Sequence, residues 1–207
     1  MNLASQITTR RASVAGMLAP IMFGLLIVIL TLLQYDFLLG LGWHPIQSSD
    51  VPWPSALALG PYGWLQVANF VLFGLLLIVF AVGLHRDIVG GKWAKAGPLL
   101  LITAGIALVL CGFKTDPHLA NGPQTIQGWI HGLAFFLLVG SIIPAFFVMW
   151  RRLQKDSRWR GYDWYTLISG VLALFAFFLP GIGFYFFLAV ILTWIEVMAM
   201  RLWSLSR

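Results

Sequence analysis

Apolar residues run along this chain in six long stretches, separated by short segments that hold nearly all of the charged residues. The stretches cover residues 12–35, 60–84, 96–113, 126–149, 164–179 and 184–203. A helix needs about 20 residues to cross the hydrocarbon of a bilayer, and each stretch approaches or exceeds that length. The first, Ala12 to Tyr35, follows Arg10 and Arg11 as the core of a signal peptide would. It is too long for such a core and no small-residue cleavage site follows it, so it is expected to remain as the first span. The last two are separated only by Pro180-Gly181-Ile182-Gly183, a helix-breaking cluster that predicts a tight helical hairpin. The expectation is an all-α, polytopic membrane protein, a single transmembrane domain over residues 1–207 built as a six-helix bundle.

Composition agrees: 60% of the residues are hydrophobic and 10% charged, a ratio that leaves too little polar surface for a water-soluble globule. Charge adds an orientation. Arg10, Arg11, Arg86, Lys92, Lys95, Arg151, Arg152, Lys155, Arg158, Arg160, Arg201 and Arg207 fall on one side of the six spans and Lys114 alone on the other. Twelve against one predicts that both termini are cytoplasmic. The sequence pI near 9.9 is explained by these loops, so no nucleic-acid partner is expected. The expected partners are membrane lipids. Five positive charges from Arg151 to Arg160, beside Trp150, Trp159 and Trp164, read either as a solvated loop or as a site for anionic headgroups. The single cysteine, Cys111, excludes an intrachain disulfide and a zinc-thiolate cluster.

With that orientation, polar side chains gather at the extracytoplasmic end. Loops contribute Asp36, His44, Asp50, Lys114, Asp116 and His118, and the outer ends of the spans contribute Gln34, Gln66, Asn69, Gln127 and His131. Polar groups in hydrocarbon are costly unless paired, so a shared pocket is expected there. His131 is its most informative member, about 7 Å into the fourth span at 1.5 Å per residue, with Gln127 one turn above it. A histidine at that depth either locks helices together or titrates in a mechanism. In Phe113-Lys114-Thr115-Asp116-Pro117, Asp116 either forms a turn with nearby amides or reaches His131 as an orienting carboxylate.

These residues carry a resemblance. Tyr62-Gly63-Trp64 with Phe70, the Phe113 to Pro117 motif, and Gly128 with His131-Gly132 resemble a bacterial six-helix membrane family, domain of unknown function 998. The resemblance implies the fold, a bacterial cytoplasmic membrane and the pairing of Asp116 with His131, and it implies no reaction. Lys114 departs from the family's usual proline, and Phe184 to Phe187 replace a polar pair.

Three functions remain open. One is a membrane-embedded enzyme acting on a lipid or lipid-linked group, with Asp116 and His131 as acid–base or metal-ligating residues and Gln66, Asn69, Gln127, His118, Asp50 and His44 as ligand-binding residues. The spacing matches no metal motif and names no cofactor. A second is a proton-linked permease using Glu196 and His131, which in 207 residues would need a homo-oligomer. A third is a non-catalytic partner subunit.

Overall fold

The computed structural model describes residues 3–47, 50–87, 95–179 and 181–206, with side chains from Thr8 onward. Lys92, Pro180 and Arg207, used above, lie outside the described residues. The chain forms α1 (Leu3–Leu33), a short α2 (Tyr35–Gly40), a 3-10 turn (Ser55–Leu59), α3 (Gly63–Asp87), α4 (Ala96–Leu110), α5 (Ile126–Leu153), a second 3-10 turn (Ser157–Trp159), α6 (Tyr162–Phe178) and α7 (Gly183–Leu205). No strand occurs among the described residues.

α1 from Thr8, α3, α5 and α7 are long and apolar enough to cross a membrane. α4 and α6 are apolar but shorter, at 15 and 17 residues, or about 22 and 26 Å of helix. α4 stops three residues before its apolar run does. At that point the carbonyls of Cys111 and Phe113 turn away from the helix to meet His131.

The six long helices form a closed ring. Each packs on the next in the chain, and α7 returns to α1. α3 and α4 approach most closely at Gly74 and Gly105, where a Cβ on Gly74 would stand 2.5 Å from the Gly105 carbonyl oxygen. Small residues let the two backbones touch, which is how helices associate where no hydrophobic effect separates them from lipid. Phe80, Phe146 and Trp194 fill the interior, with Phe146 and Trp194 rings 4.6 Å apart. The outside is apolar as well: Leu32 and Phe136 are each 71% exposed. An apolar perimeter of this extent suits acyl chains and would be insoluble in water.

The ring has two unlike ends. At one, Arg158 clasps the Asp156 carboxylate (2.8 and 3.0 Å) and the carboxylate and carbonyl of Asp87 at the end of α3. Arg201 from α7 donates to the Arg158 carbonyl, and Arg10 stacks on Trp203. Arg158 therefore ties α3 and α7 to the loop between α5 and α6 and is not the freely solvated loop residue that its sequence context allowed. The hydrogen bonds from Arg158 hold the Asp156 carboxyl below the usual carboxylate range, and the same contact raises the Arg158 guanidinium. At the other end, residues 34–47, 50–62 and 111–125, with 181 and 182, fold over the helix tips around His131.

Candidate functional site

His131 lies one helical turn beyond Gly128 in α5 and is 6% exposed. Its Nδ1 is 3.0 Å from the Cys111 carbonyl oxygen and 2.8 Å from that of Phe113, and its Nε2 is 2.9 Å from Ser55 Oγ. Carbonyl oxygens only accept, so Nδ1 carries the proton and donates it to both. In the neutral ring Nε2 is then an acceptor, and the Ser55 hydroxyl donates to it. The ring meets Phe70 of α3 in a T-shaped contact, with centroids 6.1 Å apart. One side chain thus binds the exit of α4, the 3-10 turn before α3 and the body of α5.

Asp116 does not reach His131. Its Oδ2 accepts from the backbone N–H groups of Gln124 (2.8 Å) and Thr125 (3.2 Å), and its Oδ1 from the Thr125 hydroxyl (2.9 Å). Thr125 caps α5, accepting Gly128 N–H at 2.9 Å. Gly128 has no side chain because the Asp116 carboxylate occupies the place where a Cβ would stand. These hydrogen bonds, the Gln124 amide foremost, hold the Asp116 carboxyl below its ordinary value. The turn at Pro117 brings Asp116 back onto amides eight and nine residues ahead, a shorter reach than the buried imidazole. The expected pairing is thus replaced by an indirect one: the 113–117 segment holds His131 through the Phe113 carbonyl and the start of α5 through Asp116.

Between these elements lies a cavity of about 490 Å³. Asp116, His118, His44 and His131 line its polar side, and Trp43, Trp53, Phe135, Phe136, Phe184 and Tyr185 its apolar side. Asp50 does not line it but meets His118 Nδ1 at 3.0 Å, and accepts from the Ala120 amide, tying the 43–53 loop to the loop after α4. A second, almost wholly apolar cleft of about 430 Å³ lies between α1 and α7, lined by Thr31, Ile182, Phe186 and Ala189. Trp43, Trp53 and Tyr185 border both spaces. Trp53 packs against Tyr185 with ring centroids 4.6 Å apart and planes tilted by 37°, and donates its indole N–H to Thr31 Oγ1 at 3.1 Å.

Besides Asp50, three expected ligand-binding residues do not line the cavity. Gln66 and Asn69 are buried where α3 meets α1; Asn69 Nδ2 donates to the Phe23 carbonyl (3.2 Å) and to Gln66 Oε1 (3.3 Å). Gln127 is exposed on the first turn of α5 and does not line the cavity. Its i and i+4 relation to His131 fails because the burying elements flank α5 only below that turn. Asp36 is exposed on α2. Glu196 is half-buried in α7, and Arg201, one candidate partner, is engaged with Arg158 and Ser204 instead. Among the described residues no group of three or more His, Cys, Asp or Glu side chains converges as a metal site.

Sequence reasoning did not single out Ser55, Thr125 or the Trp43, Trp53 and Tyr185 rings. Thr125 three residues before Gly128 carries the signature of an N-cap. Ser55, in Pro-Trp-Pro-Ser, carries none.

Fold and cavity together define a multi-pass, all-helical membrane protein with an aromatic-walled cavity at one end of the ring. The chain belongs to the family described as Protein of unknown function (DUF998), whose profile matches residues 26–203. No curated protein and no solved structure matches the chain at a significant level. Two of the three motifs that carry the resemblance, the 113–117 segment and Gly128 with His131, are packed directly on each other.

Proposed function

We propose that the chain crosses the bacterial cytoplasmic membrane six times with both termini inside, and that its extracytoplasmic cavity binds an amphiphile, a lipid or lipid-linked molecule. α4 and α6 count as spans because each connects the two ends of the ring, and their shortness is sheltered by longer neighbours. The observation that carries the binding reading is the junction of two unlike spaces. A cavity lined by three histidines and a carboxylate shares Trp43, Trp53 and Tyr185 with an apolar cleft between α1 and α7. A polar head fits the first and an acyl chain the second, which a small water-soluble ligand would leave empty.

Filling the cavity tests this reading. Gly132 lines it, and a Cβ there would find only Pro123 at 3.8 Å. Gly132→Phe places a ring in the space without straining the helix. Native mass spectrometry of protein released from mild detergent is expected to find lipid retained by the wild type and reduced about tenfold, some 1.4 kcal/mol, in the variant. Equal retention by both would remove the cavity from lipid binding.

A second lipid contact, anionic headgroups along Arg151–Arg160, is favoured by one observation. Arg151, Lys155 and Arg160 are exposed along it, and Trp164, four residues on, is 58% exposed; basic side chains at the interface attract anionic headgroups at about 1 kcal/mol each.

A further inference from the structure

Hydroxyls within the helices of this protein bond back to their own backbone. Ser13 donates to the Thr9 carbonyl, Ser141 to Leu137, Thr103 to Leu99 and Thr166 to Tyr162, all four residues earlier. That is the ordinary fate of a serine or threonine in a helix. Ser55 differs. It opens its 3-10 turn, so no carbonyl of a preceding turn is available to it, and its hydroxyl meets an imidazole at 2.9 Å.

The imidazole is oriented as a base requires. Two main-chain carbonyls hold the Nδ1 proton, which leaves the Nε2 lone pair directed at the serine oxygen. In serine hydrolases a carboxylate performs the same orienting task. Main-chain carbonyls fix the tautomer and ring angle as well, although they bring no full charge to stabilise an imidazolium. The pair is also beside the cavity: His131, Pro52 and Trp53 form part of its wall, and Ser55, two residues after Trp53, is half-buried and not sealed in the core.

We propose that Ser55 and His131 form a nucleophile–base pair that cleaves a carboxylic ester of the bound amphiphile. The step rests on the amphiphile reading of the cavity. Ser55 Oγ attacks the ester carbonyl carbon while its proton passes to His131 Nε2, forming a tetrahedral oxyanion. Collapse breaks the bond to the alcohol oxygen, which leaves with the proton from Nε2, and the acyl group remains on Ser55. Water from the aqueous side then attacks the acyl-serine, again giving a proton to Nε2. That proton returns to Ser55 Oγ as the carboxylic acid departs. The sum is ester plus water giving acid plus alcohol, with no change of oxidation state.

Asp116 has no part in this step, because its oxygens are engaged with the Gln124 and Thr125 amides and the Thr125 hydroxyl. His44 and His118 lie on the cavity wall apart from the Ser55 contact, and they suit a polar or anionic head better than the scissile bond.

A long-chain alkyl fluorophosphonate provides the test, since an activated serine displaces its fluoride and keeps the phosphonyl group. The full-length protein in mild detergent is treated with the probe, and the adduct is located by peptide mass spectrometry. The expected result is an adduct on Ser55, formed about 100-fold more slowly in His131→Gln, the loss that removing a general base produces. Lipid retention by native mass spectrometry is measured on the same samples. Retained lipid with no adduct on Ser55 in the wild type would overturn the pair and leave the binding reading standing. Loss of lipid retention in the wild type would instead overturn the binding reading. Should His131→Gln label at the wild-type rate, His131 is not the base and the proposal fails. If that variant does not fold, the wild-type measurement alone still decides whether Ser55 reacts.

Discussion

Thr125 uses one hydroxyl twice, accepting the Gly128 amide and donating to Asp116. Losing it in Thr125→Ala is expected to lower stability by about 1 kcal/mol, the usual worth of an N-cap, read as a fall in thermal midpoint in detergent. Gly128→Ala is expected to cost more, because the new methyl displaces the Asp116 carboxylate from all three of its donors. The acid dependence of this cluster has a definite sign. The Asp116 carboxyl is depressed in the folded protein, so its contribution is fully present above the unfolded value near 3.9 and lost as pH falls through the lower folded value. Asp116→Asn should therefore be less stable than wild type at pH 7, and the gap between their thermal midpoints should close in strong acid. A gap unchanged down to pH 2 would show that the charge plays no part. At this scale the sequence was half legible. Asp116 and His131 were identifiable from rarity and depth, but their partners are main-chain amides and carbonyls, which every residue carries and no pattern marks.

Among the elements, the six apolar runs correspond to the six long helices of the ring; the ends differ by up to four residues, except that α1 begins at Leu3, nine residues before the apolar run. Length and hydropathy are local properties and survive folding. Burial on a particular face is not local. Gln127 was expected beside His131 from helical spacing alone, and the loops that bury His131 do not extend to it. Close crossings are equally hidden until the neighbour is known. Gly74→Ala is expected to push α3 from α4 and destabilise by about 1–3 kcal/mol, because the obstructing atoms are backbone, Gly105 O at 2.5 Å and Val109 N at 2.8 Å. Gly140→Ala, also in a long helix but with nothing within 4 Å of the added methyl, is the control and should leave the thermal midpoint unchanged or slightly raised. Equal effects from the two would mean that the α3–α4 approach is not tight in the membrane.

Across the whole molecule, the ring separates two chemistries. One end is a clasp of arginines and carboxylates that fastens α3, α7 and the loop between α5 and α6. The other is a cavity in which histidines meet aromatic rings. Which end faces outward decides whether the amphiphile proposed for that cavity would come from the extracytoplasmic leaflet, and the twelve-to-one division of Lys and Arg is the physical argument for it. The direct measurement uses single cysteines at two exposed loop positions, Asn121 at the cavity end and Ser157 at the arginine end, in a background where the buried Cys111 is replaced by alanine. In intact cells a membrane-impermeant maleimide is predicted to label Asn121→Cys and to spare Ser157→Cys until the cells are lysed. Labelling of Ser157→Cys in intact cells, with Asn121→Cys protected, would turn the molecule over and contradict the placement of the cavity outside.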